Sequence, residues 1–458
     1  MAATRVRTKE SDSPAPNAGQ GFLDLWSGVG LVVANMIGAG VFLSAGFMAQ
    51  ELSAGWILAA WIVGALLAMA GARTYAEAAV LIPRSGGEYR YLSELLHPAI
   101  GYVAGWASLL VGFSAPMAIS AFGAAAFAFA VFGAGDARFG AAALIAALTV
   151  FHTIGLRSSK WTQNGLVIVK GLLVLAFVAL GLSLGENQWP TWNPAREPAG
   201  HALPFATSLF FVAYAFSGWN AAAYAAEEFR APRRDVPRAM LIGCALVGIA
   251  YLFVNWILVA NLTPERARIV FEYEEARVTL GHLVAQDFLG DAGSSAMSIG
   301  IAAIMVSSTS AMLLVGPRVY AEMARDGFLP SFLRGKPGAP PRAAVMLQGA
   351  LAILLLYVHT IGELLTNVAG VLVLFSALVA VGLFRVKRHK PKLRAPRPQA
   401  LVAAAIYASA SIWMLYNAFK NETGLLPWIA VAAVAALAGY SLTPPPKRTR
   451  EQENQLTS

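Results

Sequence analysis

Twelve times along this chain an apolar run reaches or approaches the length of a bilayer crossing. The runs fall at about 23–50, 55–82, 98–133, 139–156, 161–185, 203–226, 239–262, 292–322, 343–360, 364–384, 399–419 and 424–442. A helix needs about 20 mostly apolar residues to cross the hydrocarbon core. There the backbone must satisfy its own hydrogen bonds, which leaves helices and closed barrels. Barrel strands alternate over roughly 10 residues, whereas these runs are longer and continuously apolar. The sequence therefore predicts an all-α polytopic membrane protein with twelve transmembrane helices. The third and eighth runs are long enough to tilt or to continue past the membrane. Charged residues make up only 13% of the chain, about half the share in a soluble domain.

Lysine and arginine in short loops set orientation. With the N-terminus inside, 26 of the 34 basic residues fall in inner loops and tails and 6 in outer loops, while Arg73 and Lys170 lie within spans. The expected placement is multi-pass in the inner (plasma) membrane with both termini cytoplasmic. The net charge of +9 is then a topology signal, so the lipid bilayer is the partner it implies and nucleic acid is not required. Residues 1–20 and 443–458 are polar and are expected to be disordered. The first span is expected to remain in the chain rather than be cleaved. Cys244, the sole cysteine, excludes an internal disulfide and sits in apolar surroundings as a packing residue.

Two spans are interrupted. NMIGAGVFLSAG, residues 35–46, places Gly38-Ala39-Gly40 mid-span, and YAFSGWNAAAYAAEE, residues 214–228, places Ser217-Gly218 mid-span. Glycine inside a helix costs about 0.8–1.0 kcal/mol relative to alanine. The interruptions are five helices apart, which fits a five-plus-five inverted repeat with helices 1 and 6 broken at a shared site. A broken helix exposes N–H groups at the new start and C=O groups at the new end, with partial positive and negative charge respectively. An amino-acid zwitterion carries the complementary pair. Its carboxylate is expected on the N–H groups of Ala39, Gly40 and Val41. Its ammonium is expected on carbonyls of Ile37 and of Tyr214, Ala215, Phe216 and Ser217. A second reading stands beside this one: small residues also serve helix–helix packing in membranes.

Lys170 lies about nine residues into the fifth span, roughly 13 Å deep at 1.5 Å per residue. A lysine at the helix centre costs about 2.5–3.5 kcal/mol to insert and by default faces the bundle interior for a functional reason. Snorkelling is the alternative, but neither surface is within easy reach. Its expected acceptors are the hydroxyls of Ser307, Ser308 and Ser310 and carbonyls freed near residues 35–38. A fixed ammonium there could replace a bound sodium ion, or lose its proton and couple transport to a proton gradient. Asp24, Glu51, Glu77, Glu227 and Glu228 sit near span ends, and no acid is read mid-membrane beside the interruptions. That argues for a neutral substrate. Arg73 and Glu77, four apart on one helix face, are expected to form a local ion pair.

These stretches resemble the amino acid–polyamine–organocation superfamily, specifically its L-type amino acid transporter branch. NMIGAGVF resembles the first-helix motif of that branch, whose Gly-small-Gly triplet binds the α-carboxylate. YAEAAVLIPRSGGEYRYL (75–92), FSGWNAAAYAAEEFRAPRRDVPRAM (216–240) and RVYAEMARDGFLP (318–330) are similar to its second-helix, sixth-helix and post-eighth-helix signatures, in the same order. The resemblance implies the leucine-transporter fold and alternating access. It implies that Lys170 stands where sodium-independent members have their fifth-helix lysine, and that Tyr214 is an aromatic gate. Ser217 stands where members taking large substrates have glycine, and members with serine resemble carriers of alanine, serine and glycine. The added CH₂OH would take room from a large side chain, or it could merely relax the helix by bonding its own backbone.

The expected function is thus sodium-independent secondary transport of small neutral amino acids, as exchanger or proton symporter, with no cofactor or metal. Cationic amino acids or polyamines are the alternative within the superfamily. An embedded enzyme or a channel are alternatives of other classes. The sequence holds no HExxH, no paired mid-span aspartates, no Ser–His constellation and no charged pore rings, and its six histidines are scattered and read as interfacial. Animal members join a glycoprotein through a cysteine after the third helix. The corresponding FGAGDARFG, residues 132–140, has none, so no disulfide-linked partner is expected, and the chain is read as a monomer or weak homo-oligomer. The expected organisation is a cytoplasmic N-terminus (1–20), a ten-helix transport core (21–385), two peripheral helices after a basic loop (386–442) and a cytoplasmic tail (443–458).

Overall fold

The computed structural model describes residues 23–133, 135–154, 160–195, 200, 202–325, 329–335, 341–389, 393–421 and 434. The first helix, α1 (Leu25–Met36), starts at Asp24, whose carboxylate accepts the Ser27 N–H at 2.8 Å and caps it. It stops at Met36, and α2 (Ala39–Met48) resumes after Ile37 and Gly38, both in extended geometry. Next come α3 (Ala54–Leu81), the short α4 (Gly87–Leu95) and α5 (Pro98–Ala107). A π-helical stretch, Ser108–Phe113, joins α5 to α6 (Ser114–Phe132), and the Ser114 hydroxyl donates to Leu109 O at 2.9 Å within it.

The helices α7 (Ala137–Ile154) and α8 (Lys160–Leu184) are followed by α9 (Ala202–Ala215). Residues 216–220 then leave helical geometry before the single turn α10 (Ala221–Tyr224). A long α11 (Pro232–Ala260) opens on proline, whose missing N–H is no loss at that position. Two short helices, α12 (Pro264–Glu272) and α13 (Glu274–Val278), lead into α14 (Leu280–Arg325). Gly290, at φ 66°, kinks α14 into two pieces. The last described helices are α15 (Arg342–Val358), α16 (Ile361–His389) and α17 (Pro398–Asn421).

Among the described residues, eight helices are long and apolar enough to cross a membrane by length and composition, and three shorter apolar helices accompany them: Ile168–Leu184, Ala202–Ala215 and Arg342–Val358. The expected twelfth span, 424–442, lies outside the described residues apart from position 434, and so do the two polar termini. Large apolar side chains such as Leu66, Phe139, Ile249, Leu354 and Ile412 face outward, as a surface bathed by lipid requires.

Inside the bundle, α1 and α3 pack on α11, and α6 packs on α14. The helix α2 runs through the middle against α9, α11 and α14, and all ten of its residues are buried. Among the described residues one isolated parallel bridge interrupts the all-helical pattern. Leu23 N–H donates to Glu228 O at 2.9 Å and Arg230 N–H donates to Leu23 O at 3.0 Å. The start of α1 is thereby tied to the segment that follows α10.

The Arg73–Glu77 pair is present at 3.3 Å, but it is not merely local. Glu77, 1% exposed at its side chain, also receives Arg394 Nη2 at 2.8 Å and the Arg397 N–H at 3.0 Å. A buried carboxylate needs several donors to offset its lost hydration. Here the basic segment before α17 supplies them and is clamped to α3.

Candidate functional site

The gap between α1 and α2 frees main-chain groups that neighbouring helices reach into. Met36 O accepts the hydroxyl of Tyr251, on α11, at 2.5 Å. Ile37 O lies 3.5 Å from Lys170 Nζ, on α8, and 3.5 Å from Ser308 Oγ, on α14. Lys170 Nζ also donates to Ser308 Oγ at 3.0 Å, and Ser308 donates to Ile304 O of its own helix at 3.1 Å. Lys170 is 4% exposed. An ammonium from one helix thus bridges a hydroxyl and an opened backbone carbonyl from two others. Charge-assisted bonds of this kind are about twice as strong as neutral ones.

At the start of α2 no side chain caps the helix. The first N–H groups of a helix have no partner within it, and here they belong to Ala39, Gly40 and Val41, all buried. Gly38 is open on its side-chain face only as far as Ser308: a Cβ there would lie 3.4 Å from Ser308 Oγ. Gly40 is packed harder. A Cβ on it would lie 2.5 Å from Ala215 Cα, so α2 and α9 approach backbone to backbone at this point. Ser44 fastens the same pair of helices, donating to Gly40 O at 2.7 Å and sitting 3.2 Å from Phe211 O. Packing and an open helix start therefore coexist at one glycine: its missing side chain serves α9, and its N–H belongs to the uncapped turn.

The second gap is braced by turns. Phe216 N–H donates to Val212 O at 2.9 Å, Ser217 N–H to Tyr214 O at 2.9 Å and Ala221 N–H to Gly218 O at 3.0 Å. The Tyr214 carbonyl already has a donor, so the ammonium acceptors expected across residues 214–217 are not all equally open. Gly218 has φ +102°, and a Cβ there would lie 2.9 Å from both C and O of Asn35. The second gap touches the main chain of the last turn of α1 here, just before the first gap, in a conformation that glycine alone adopts freely. The Phe216 ring turns away into an aromatic cluster, 5.2 Å from Tyr251 and 6.1 Å from Trp61 between centroids. Only its backbone is left to face a guest. Tyr214 and Ala215 are buried and Ser217 is half-buried.

The structure thus brings Ile37, Lys170 and Ser308 together at the first gap, and Gly40 and Ala215 at the contact between α2 and α9. It does not bring in Ser310, whose Oγ lies 2.9 Å from His152 Nε2 on α7. Ser307, half-buried, has neither Lys170 nor Ile37 as a hydrogen-bond partner. On a helix, residues 307 and 310 point away from the direction of 308, which is why one serine of the run was selected.

Sequence reasoning passed over three groups. Tyr251 is one tyrosine in the apolar seventh span, and its position opposite the gap depends on packing. Against the expectation of no Ser–His constellation, His152 and His282 pair with Ser310 and Ser298 at 2.9 and 2.8 Å. Glu88, in the first turn of α4, is 3% exposed. Tyr75, which hydrogen-bonds Glu88, also stacks edge-on against Trp219 at 4.7 Å. An acid is therefore buried one side chain removed from the second gap. Its signal was present in the apolar and aromatic character of its neighbours, EYRYL, at residues 88–92.

Residues 23–438 match the family model described as amino acid permease. The chain is 26% identical over 416 residues to the Asc-type amino acid transporter 1 of Mus musculus, covering 87% of this chain and 77% of that protein. It is 25% identical over 417 residues to the b(0,+)-type amino acid transporter 1 of Homo sapiens, covering 89% and 84%. It is 27% identical over 411 residues to the Large neutral amino acids transporter small subunit 2 of Homo sapiens, covering 85% and 75%.

Proposed function

Because this chain belongs to the amino acid permease family, we propose that it carries small neutral amino acids across a membrane by alternating access, without sodium. The family is one of permeases and not of enzymes. The observation that carries the finer reading is the ammonium of Lys170 held at 3.0 Å from Ser308 Oγ and 3.5 Å from Ile37 O. It occupies the junction of α1, α8 and α14 with one fixed positive charge. That is the work a sodium ion would do in holding an opened carbonyl and a helix hydroxyl together.

In this reading the carboxylate of the guest rests on the N–H groups of Ala39, Gly40 and Val41 at the uncapped start of α2. Its ammonium rests on Ile37 O and on carbonyls among Ala215, Phe216 and Ser217, with Tyr214 closing over it as gate. Oriented peptide dipoles at two facing gaps suit a zwitterion, as in other carriers built on discontinuous helices. The inverted-repeat fold with helices 1 and 6 broken, the ten-helix core at 21–385 and the two peripheral helices at 386–442 complete the proposal. So does an inner-membrane placement with both termini cytoplasmic. Glu77, clamped by Arg73 and Arg394, and Glu88, sealed behind Tyr75 and Trp219, offer no free counter-charge for a cationic side chain. One relative is named a small subunit. This chain is proposed to act without a disulfide-linked partner, since residues 132–140 contain no cysteine.

The test is uptake into sodium-free proteoliposomes, with competition by the twenty amino acids and by polyamines at two pH values. Alanine, serine and glycine are expected to compete best, and uptake to require a counter-substrate or a proton gradient. Strong competition by arginine, lysine or polyamines would overturn the neutral-substrate reading. Non-saturating current would favour a channel.

A further inference from the structure

Glu88 sits where α3, α4, α10 and α16 converge, on the side of the bundle where positive loops place the cytoplasm. Its Oε1 accepts the hydroxyl of Tyr75, on α3, at 2.7 Å and that of Ser376, on α16, at 3.0 Å. Tyr75 and Ser376 are themselves 3.3 Å apart. The Tyr224 ring, on α10, packs on the backbone of Gly87 beside it. The titratable groups facing this point are Tyr75 from α3, Tyr91 from α4, Tyr224 from α10 and Tyr407 from α17. From α5 the titratable side chain is Tyr102, and the α4 cation Arg90 lies over the Tyr89 ring at 5.0 Å. Among the described residues no lysine, arginine or histidine pairs with Glu88. A carboxylate buried this far without a cation is costly to ionise.

We propose that Glu88 binds a proton, taken from and returned to cytosolic water, and that its protonated form holds α4 closed against α3, α10 and α16. The closed state has a buried neutral acid with its carbonyl oxygen accepting two hydroxyls. Ionisation leaves a negative charge that only two O–H donors and the start of α4 offset, so water is drawn to it and the contact parts. The balance is simple: carboxylate plus proton gives carboxylic acid, and opening releases that proton to the solvent. Burial lifts the Glu88 carboxyl above the ordinary carboxylate range, while the two hydroxyls pull the other way. Each pKa unit separating the closed and open states changes their ratio about tenfold. The route to the proposed transport site is short: Tyr75 joins Glu88 to Trp219, at the second gap.

The proton site is tested without any substrate, so its outcome is separate from that of the transport reading. Purified full-length protein in liposomes is examined by infrared difference spectroscopy as pH is raised. Wild type is expected to show a carboxylic C=O band that disappears with a midpoint above the ordinary carboxylate range, and Glu88→Gln to lack it. Ser376→Ala removes one donor to the charged form and should move the midpoint to higher pH, which keeps the test decisive if the first variant folds poorly. A wild-type spectrum with no such band, or one unchanged by both variants, overturns the site. Coupling to closure is read from maleimide labelling of Ser85→Cys in a Cys244→Ser background, since Ser85 Oγ accepts the Glu227 N–H across the same contact. Raising pH on the cytoplasmic side should speed labelling more with Glu88 present than with Glu88→Gln. An equal response in both overturns the coupling.

Discussion

Gly218→Ala tests whether the two gaps depend on one another. The residue is held at φ +102°, and its added methyl carbon would lie 2.9 Å from two main-chain atoms of Asn35. A non-glycine residue in such a region costs about 1–3 kcal/mol. Wedging a methyl into a packed site costs about another 1–3 kcal/mol, and here the obstacle is backbone that cannot rotate aside. The sum, roughly 2–6 kcal/mol, acts on the conformation in which the second gap touches the last turn of α1. At 1.4 kcal/mol per factor of ten, the substitution should weaken alanine binding by at least about thirtyfold, measured by direct binding to purified protein. Gly30→Ala is the control: nothing lies within 4 Å of its added carbon, and it should bind as wild type with a melting temperature equal or slightly higher. If Gly218→Ala binds and melts like Gly30→Ala, the gaps are not mechanically linked and the reasoning fails.

Three further outcomes are expected. Lys170→Ala should express normally yet lose at least about tenfold in uptake rate, because charge-assisted bonds of about 1.5–3 kcal/mol disappear from the α1–α8–α14 junction; wild-type uptake would remove its proposed role. Tyr251→Phe strips the donor from Met36 O in a buried setting, a loss of about 1–3 kcal/mol, so substrate affinity or melting temperature should fall measurably; no change in either would mean that the carbonyl finds another donor. Ser217→Gly should gain affinity for leucine- and phenylalanine-sized competitors, and an unchanged competition profile would count against the steric argument.

The apolar runs made the helical architecture readable because the bilayer sets their length and demands a self-satisfied backbone. The interruptions at 37–38 and 216–220 were readable because glycines, Gly38 and Gly40 in the first and Gly218 in the second, contradict an otherwise uniform apolar pattern. Lys170 stood out because a charge in such a run is expensive. What stayed hidden was anything decided by rotation about a helix axis. Which of Ser307, Ser308 and Ser310 meets the ammonium depends on how α14 is turned. So does the aim of Tyr251 across α11. Glu88 lies in a loop signature between spans, where an acid looks ordinary and only its apolar and aromatic neighbours hint at burial. Only the folding of α4 onto α3 and α16 removes it from water. In the sequence Arg394 is one basic residue among many, and its reach to Glu77 spans more than 300 positions.

The short ladder between Leu23 and Phe229 is made of amide and carbonyl groups, so it is indifferent to which side chains stand there. Drift at those positions can alter bulk or charge without loosening the joint; among ordinary substitutions only proline at 23 or at 230 would delete one of its rungs. Whatever swings the entrance of α1 therefore pulls on the segment after α10 as well, as two leaves fixed to a single pin.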